Sequence, residues 1–167
     1  MIASNITIRK ATEDDIDIIR SLANIIWPPT FGEILSAKQI SYMLELIYSE
    51  KSLKKQITEG HNFLIAEDNN APAAYADYSL PKNDVYKLHK IYVLPNQQGK
   101  GIGKLLIEFI IKTIKKENAS SLLLNVNRYN KAKSMYERLG FTVIGEEDID
   151  IGEGYFMNDY IMMKRLQ

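Results

Sequence analysis

Cysteine is absent from the sequence, which excludes disulfide bonds, a thiol nucleophile and any zinc site built on cysteine. An excess of one charge is absent too, because 21 lysine and arginine residues balance 21 aspartate and glutamate residues. A chain without net charge has no overall field to attract nucleic acid or an anionic membrane, and we expect neither as a partner. No apolar run approaches the ~20 residues that a membrane-spanning helix needs, and positions 1–5 do not begin a targeting segment. These absences favour a cytoplasmic protein.

The 167 residues are most simply one domain covering positions 1–167, which is long enough to bury an apolar core. Hydrophobic periodicity predicts the order strand, two or three helices, three strands, helix, strand, helix and two strands. Thr12 opens a capping sequence for the first helix, which we expect to end at Pro28-Pro29. His61 follows a glycine in a predicted turn, where a surface position is expected.

The predicted strands alternate in polarity or are continuously apolar, at 5–9, 62–67, 73–80, 85–94, 121–126, 141–145 and 155–164. The fifth of them follows a helix that begins near Ile102, and strand, helix and strand at this spacing imply a parallel, right-handed crossover. Asn130 is predicted to cap a helix over 131–139, and Gly140 to end it.

A glycine-rich loop lies between the strand at 85–94 and the helix that follows it. Glycines at 99, 101 and 103 allow tight backbone turns and leave no Cβ to obstruct a ligand. The main-chain N–H groups of this loop gather at a helix N-terminus, where unpaired donors and the helix dipole attract an anion. Lys100 and Lys104 add positive charge. The loop therefore predicts a phosphate-binding site.

Two well-known phosphate loops do not fit this sequence. A Walker loop needs glycine at position 98 and serine or threonine at position 105, where the chain has Gln98 and Leu105. The dinucleotide fingerprint needs a third glycine where Lys104 stands, and it usually follows the first strand of a domain. A nucleotide-phosphate binder that uses the same loop stays open as an alternative, and these mismatches give it the least support.

Two signatures lie on either side of the predicted helix that begins near Ile102. The first is Gln98-x-x-Gly101-x-Gly103, and the second is Asn127-x-x-Asn130-x-Ala132-x-x-x-Tyr136-x-x-x-Gly140-Phe141. At this distance from each other they resemble the two signatures of the GNAT superfamily of N-acetyltransferases, whose Q/R-x-x-G-x-G/A loop holds the pyrophosphate of acetyl-CoA. The resemblance covers essentially the whole chain. It implies the acyl-CoA N-acyltransferase fold, of class α/β (α+β), with a mixed, mostly antiparallel seven-stranded sheet that is splayed in the middle and carries helices on both faces.

By the same resemblance acetyl-CoA is the cosubstrate, and no metal is expected. The loop is expected to hold the pyrophosphate, and the strand before it to pair with the pantetheine amides where the sheet splays. A main-chain N–H near Val93 is expected to polarise the thioester carbonyl. Asn130 resembles a coenzyme-contacting asparagine, although it is also a good helix cap. The expected cofactor-binding residues are Ile91, Tyr92, Val93, Gln98, Gly99, Lys100, Gly101, Ile102, Gly103, Lys104 and Asn130.

Acyl transfer from a thioester to an amine needs a neutral amine and a proton for the departing thiolate. Tyr136 is the expected acid, because the resemblance gives that role to this tyrosine and a phenol with a pKa of roughly 10 can perform it. His89 is the first candidate for the base, since it lies on the strand beside the cofactor and its reference pKa of about 6.5 suits proton removal. Glu33 and a chain of water molecules stay open as alternatives.

The acceptor pocket is expected to include Trp27, Phe31, Glu33 and Tyr42, because aromatic faces beside a carboxylate suit a cationic amine. Trp27 and Phe31 are equally good candidates for the apolar core.

Two further motifs, I-W-x-x-T-F-G from Ile26 and Met157-x-Asp159-Tyr160-x-Met162, resemble the bacterial spermidine/spermine acetyltransferase subgroup. The resemblance implies transfer to a primary amine of a small molecule, with a polyamine as one candidate. It also makes a homodimer one expected assembly, since the closing strands often mediate association in the superfamily. A protein, peptide or antibiotic amine as acceptor, and a non-catalytic acyl-CoA sensor, stay open as alternatives.

Overall fold

The computed structural model describes residues 5–167. Its strands are β1 (Ile6–Lys10), β2 (Asn62–Asp68), β3 (Ala71–Lys82), β4 (Val85–Val93), β5 (Ser121–Asn127), β6 (Thr142–Gly152) and β7 (Tyr155–Arg165). Its α-helices are α1 (Ile16–Phe31), α2 (Ala37–Tyr48), α3 (Glu50–Thr58), α4 (Ile102–Lys115) and α5 (Ala132–Arg138). The predicted element order is confirmed, with three helices after β1. Positions 1–4, part of the stretch in which the sequence predicts no targeting segment, lie outside the described residues.

The seven strands form one sheet that opens between β4 and β5. The strand order is β1-β2-β3-β4-β5-β7-β6, and within the described residues the parallel pair is β4–β5. Its pairing runs only from Val85↔Ser121 to Leu88↔Leu124. Beyond Leu88, β4 continues along β3 while β5 continues along β7. The predicted mixed, mostly antiparallel and splayed sheet is therefore confirmed.

A separate apolar core covers each face of the sheet. On one face Leu106 and Ile110 of α4 are fully buried with Leu122 of β5. On the other face Ile19 of α1 and Leu53 of α3 are fully buried with the residues of β2 and β3. Burial of each such side chain stabilises the fold by about 1.5–3 kcal/mol. The sheet is therefore packed on both faces, by α4 on one and by α1–α3 on the other.

Helix α1 continues to Phe31, so the prediction that Pro28-Pro29 ends it is wrong. A proline inside a helix removes the hydrogen bond to the carbonyl four residues earlier. Here those carbonyls belong to Asn24 and Ile25, which are exposed, so water can satisfy them. The last turn in exchange buries Phe31, which is 2% exposed.

Two other predicted boundaries differ from the structure. Strand β6 continues to Gly152 instead of ending at position 145, because it pairs with β7 along almost its full length. Helix α5 begins at Ala132, and the Asn130 Oδ1 accepts the N–H of Ala132 at 2.9 Å, so the predicted capping contact forms just before the helix. The capping box predicted at Thr12 is confirmed. No helix within residues 5–167 is long and apolar enough to cross a membrane.

Candidate active site

A large cavity lies where the sheet splays. Its volume is about 1330 Å³, whereas small-molecule sites commonly enclose about 300–1,000 Å³. The loop before α4, the diverging ends of β4 and β5, helix α5, the α1–α2 region and the β6–β7 pair all contribute to its wall. A cavity of this size and variety of lining can hold two substrates side by side.

The glycine-rich loop turns twice through the left-handed region and then opens α4. Gly99 and Gly101 have φ angles of 82° and 80°, which residues with a side chain rarely adopt. No side chain caps α4 at Gly101. Its first N–H groups, from Ile102 onward, therefore lack intrahelical partners and can bind an anion. A Cβ at Gly103 would meet only the Met135 side chain, with Sδ at 3.6 Å. The packing around this position would therefore accommodate a larger residue than glycine.

The two lysines of the loop are held by weak surface contacts. Lys100 Nζ lies 3.6 Å from Asp68 Oδ2 and donates to Gln97 Oε1 at 3.0 Å. Lys104 Nζ lies 3.8 Å from Glu108 Oε1. Exposed pairs of this kind contribute only about 0–1 kcal/mol. Both ammonium groups can therefore turn toward a phosphate at little cost.

The splayed end of β4 presents main-chain groups to the gap. Leu94 donates its N–H to the Ala73 carbonyl of β3 at 2.9 Å. Antiparallel neighbours alternate between facing their partner and facing away, so Ile91 and Val93 direct their main-chain groups toward the gap. Gln98 Nε2 donates to the Val93 carbonyl at 3.2 Å, which ties the loop to this strand.

Aromatic rings from α1 and β4 pack together on the opposite side of β4 from α4. The Tyr92 ring centroid lies 5.7 Å from that of Trp27, 6.2 Å from that of Phe31 and 5.6 Å from that of Tyr75. Burial raises the pKa of the Tyr92 hydroxyl. Trp27 and Phe31 belong to the apolar core, as one expectation has it, and they also line the cavity.

Helix α5 carries Tyr136 into the cavity wall beside the splayed strands. The residue is 7% exposed, and its ring packs edge-on against Phe141 with centroids 6.0 Å apart. Burial raises the pKa of the Tyr136 hydroxyl, which keeps it protonated at neutral pH.

His89 sits at a β-bulge, because the β3–β4 register shifts between Asp77 and Tyr78. Its Nε2 is 2.6 Å from Ser79 Oγ, and its ring stacks on that of His61 with centroids 4.3 Å apart. Burial lowers the pKa of His89 to about 4. The imidazole is therefore neutral at pH 7 and a weaker proton acceptor than an ordinary histidine.

The prediction of a surface position for His61 is wrong. Its side chain is only 19% exposed, and its Nδ1 lies 2.6 Å from the buried Asp77 Oδ2. Lys90 Nζ donates to the same oxygen at 2.7 Å and to Gln56 Oε1 at 2.6 Å. Burial alone would raise the pKa of Asp77, but His61 and Lys90 more than offset it and leave the pKa below its usual value. This buried cluster joins the residue before β2 to β3, β4 and α3 beside the cavity.

The residues predicted for the acceptor pocket separate into two groups. Glu33 lines the cavity together with Trp27 and Phe31. Tyr42 does not, because its hydroxyl donates to the Ile151 carbonyl at 2.7 Å and its ring packs on Tyr155. The other predicted site residues that line the cavity are His89, Ile91, Tyr92, Val93, Gln98, Gly99, Gly101, Ile102, Gly103, Lys104, Asn130 and Tyr136.

Asp159 of β7 also lines the cavity, although the sequence did not single it out for a role in the site. Its Oδ2 accepts a hydrogen bond from Asn125 Nδ2 at 3.3 Å. Burial raises the pKa of Asp159. The motif Met157-x-Asp159-Tyr160-x-Met162 was the sequence feature that could have drawn attention to Asp159. That motif does not indicate toward which face of the sheet the carboxylate points.

The cavity thus joins a helix end with unpaired N–H groups, a strand with main-chain groups facing a gap, a protonated phenol, and a side lined by aromatic and carboxylate groups. These are the parts that thioester-to-amine acyl transfer requires. Within residues 5–167 no group of three or more histidine or acidic side chains is arranged to hold a metal ion.

Comparison with known proteins gives an independent result. Residues 33–154 match the model of the acetyltransferase (GNAT) domain. The chain is 27% identical over 169 residues to spermidine N(1)-acetyltransferase of Thermoplasma acidophilum, covering 98% of this chain and 99% of that enzyme. It is 36% identical over 73 residues to [ribosomal protein bS18]-alanine N-acetyltransferase of Haemophilus influenzae. The latter match covers 44% of this chain and spans about half, 47%, of that relative.

The fold is similar to a solved structure over almost its whole length. The crystal structure of PaiA N-acetyltransferase from Thermoplasma acidophilum in complex with coenzyme A superimposes with a TM-score of 0.82 at 27% identity. The match covers 96% of this chain and 98% of that one.

Proposed function

Since this chain belongs to the GNAT family of acetyltransferases and is therefore an N-acetyltransferase, we propose that its acceptor is a primary amine on a small cationic molecule, with a polyamine as the leading candidate. The observation that carries this proposal is the set of side chains available to an acceptor in the cavity. Trp27, Phe31, Glu33 and Asp159 all line it. Aromatic faces and carboxylates together favour an alkylammonium group. The full-length similarity to a spermidine N(1)-acetyltransferase supports the same class of acceptor.

Acetyl-CoA is the acetyl donor and binds across the loop and the splay. The main-chain N–H groups at positions 99–104 hold its diphosphate at the N-terminus of α4. The main-chain groups of Ile91 and Val93 pair with the pantetheine amides as an added strand would, and Asn130 contacts the coenzyme from the turn before α5. The N–H of Val93 polarises the thioester carbonyl and stabilises the negative charge that develops on its oxygen.

Tyr136 completes the transfer. The amine nitrogen attacks the thioester carbonyl carbon, the C–S bond breaks, and the Tyr136 hydroxyl donates its proton to the departing thiolate. Because the pKa of Tyr136 is raised, the hydroxyl keeps its proton until the coenzyme A thiolate forms beside it. The same water-poor surroundings also raise the pKa of the coenzyme A thiol. The states with the proton on the Tyr136 oxygen and on the sulfur therefore remain close in free energy.

The N-terminal amine of a peptide is a second candidate acceptor. It is favoured by the 36% identity to a ribosomal protein alanine N-acetyltransferase, which extends over 44% of this chain.

An acceptor screen separates these candidates. The protein is incubated with acetyl-CoA and a panel of amines, and coenzyme A release is followed with a thiol reagent. The panel contains polyamines, free amino acids, an aminoglycoside antibiotic and a peptide that begins with alanine. Polyamines should give the highest kcat/KM. A higher value with the peptide would favour the second candidate, and no turnover of any polyamine would contradict the proposed acceptor.

A further inference from the structure

Asp159 is a buried carboxylate that the fold leaves without a cation. Three aspartates are buried within residues 5–167: Asp15 pairs with Arg9, Asp77 pairs with Lys90, and Asp159 forms no ion pair. Asp159 is 6% exposed, and its Oδ1 has no hydrogen-bond partner in that part of the chain. Buried polar groups are nearly always satisfied, so an exception beside a cavity points to a ligand.

The strand register places Asp159 on the acceptor side of the sheet. It follows Met157 by two positions on β7, so the two side chains lie on the same face. Met157 packs against the core formed by α1–α3, and both residues line the cavity. Asp159 therefore faces the same side as Trp27 and Phe31, beside the gap through which an acetyl group would be presented.

Its neighbours hold the carboxylate without neutralising it. Asn125 Nδ2 donates to Asp159 Oδ2 at 3.3 Å and to Glu147 Oε1 at 3.1 Å. Arg128 is bonded elsewhere, because one of its nitrogens donates to the main-chain carbonyl of Asp159 and another pairs with Asp148. One carboxylate oxygen is thus held by a neutral amide, and rotation about the last side-chain bond can turn either oxygen toward the cavity.

The charges around Asp159 do not supply a counter-ion. Burial raises its pKa, the Asn125 hydrogen bond lowers it, Glu147 raises it again, and the charges of Lys87 and Arg128 lower it. From β4, two titratable groups act on it, Lys87 and Tyr92. The site is short of one positive charge, which an alkylammonium ligand carries.

We propose that Asp159 binds the reacting ammonium group of the acceptor and takes its proton. This inference rests on the proposed function and deepens it by assigning the base. An N–H bond of the ammonium breaks, its electron pair stays on nitrogen, and the proton passes to the carboxylate. The neutral amine then forms the C–N bond while the C–S bond breaks. The thiolate takes the proton of Tyr136, the amide nitrogen returns a proton to that phenolate, and Asp159 releases its proton to solvent.

The other two candidates for the base are placed less well. His89 has its Nε2 against Ser79 and a pKa of about 4, so it is neutral and attracts no cation. Glu33 is exposed, and water competes for its carboxylate. Asp159 combines burial, negative charge and an oxygen without a donor.

The substitution Asp159→Asn tests the inference because it keeps the side chain's size and removes its charge. Spermidine is titrated calorimetrically into protein saturated with coenzyme A, and kcat/KM is measured from about pH 7 to about pH 10, where the amine loses its proton unaided. Spermidine should bind at least ~10-fold more weakly, and kcat/KM at neutral pH should fall ~100-fold or more. The loss should shrink as pH rises, and acetyl-CoA affinity should not change.

The matched control is Asp150→Asn. Asp150 is exposed on β6, and asparagine can still accept the Gly152 N–H that Asp150 Oδ1 accepts at 2.9 Å. Equal spermidine binding by the wild-type protein and Asp159→Asn would overturn the inference, and so would a loss of kcat/KM that is the same at every pH. If spermidine binding depends on Asp159 yet no amine is acetylated, the proposed function fails while the ammonium site stands.

Discussion

The substitution Gly103→Asp should stabilise the fold and weaken coenzyme A binding, two effects of opposite sign from one side chain. Gly103 is the second residue of α4, and an added Cβ would meet only Met135 Sδ at 3.6 Å, an ordinary contact. The new carboxylate would lie among the N–H groups that the fold leaves unpaired at this helix end. It would therefore occupy the place that the account gives to the diphosphate.

The two magnitudes can be worked out separately. Replacing a helical glycine contributes roughly 0.5–1 kcal/mol, and a negative charge at a helix N-terminus contributes about 0.3–1 kcal/mol. The free energy of unfolding should thus rise by about 1 kcal/mol. Two unit charges ~4 Å apart repel by about 1 kcal/mol in water and about 4 kcal/mol at an effective dielectric constant of 20. For a partly exposed loop we take about 2 kcal/mol, which is roughly a 30-fold higher Kd.

Gly103→Asn is the matched control, because asparagine has the size of aspartate without its charge. Urea unfolding gives the free energy of unfolding, and isothermal titration gives the Kd for coenzyme A at low and high salt. The Asp variant should bind more weakly than the Asn variant, and the difference should narrow as salt screens the repulsion. Equal affinity of the two variants for coenzyme A would refute the assignment of the diphosphate to this helix end.

Replacing Tyr136 by phenylalanine should lower kcat by about 10²–10⁴-fold and leave acetyl-CoA affinity unchanged; steady-state kinetics with an unchanged kcat would remove the acid assignment. Lys90→Met should lower the free energy of unfolding by about 3–5 kcal/mol, because it leaves Asp77 buried without its cation. Adding Asp77→Asn should recover most of that loss in urea unfolding, and an equal loss in both variants would contradict the ion pair's role. Asp159→Asn should increase stability at neutral pH. Burial raises the folded-state pKa of Asp159, so this residue's own contribution to stability is greatest below the ordinary aspartate pKa and is lost as pH rises through the folded-state value. Melting scans that show a less stable variant at neutral pH would disprove this reasoning.

The glycine loop and the order of the elements could be predicted because their signals are local. Residues with a side chain rarely adopt the left-handed region, so glycines at positions 99 and 101 indicate a bend before any tertiary contact is known. The Thr12 capping box likewise closes within four residues. Such short patterns predict local structure reliably because the atoms that form their hydrogen bonds are already neighbours in the chain.

The buried charges could not be predicted because they depend on strand register. His61 meets Asp77 sixteen residues later, and Asn125 meets Asp159 thirty-four residues later. A shift of one residue in either strand pair would turn these side chains to the opposite face. The sequence contains the residues but not the register, which is set by the packing of the whole sheet.

The end of α1 was mispredicted because burial outweighed local propensity. Two prolines cost the helix two hydrogen bonds, yet the carbonyls concerned belong to exposed residues, and the centroid of the Phe31 ring lies 4.7 Å from that of Trp27. That last turn brings Phe31 to the cavity wall beside Tyr92, so the exception to the local rule also shapes the site.

A crystal structure of the protein with bound coenzyme A tests the central claim most directly. The diphosphate should lie against the main-chain N–H groups of residues 99–104, with the pantetheine arm between β4 and β5 beyond Leu88 and its sulfur near the Tyr136 hydroxyl. Coenzyme A bound elsewhere, with the strands closed over the gap, would contradict it.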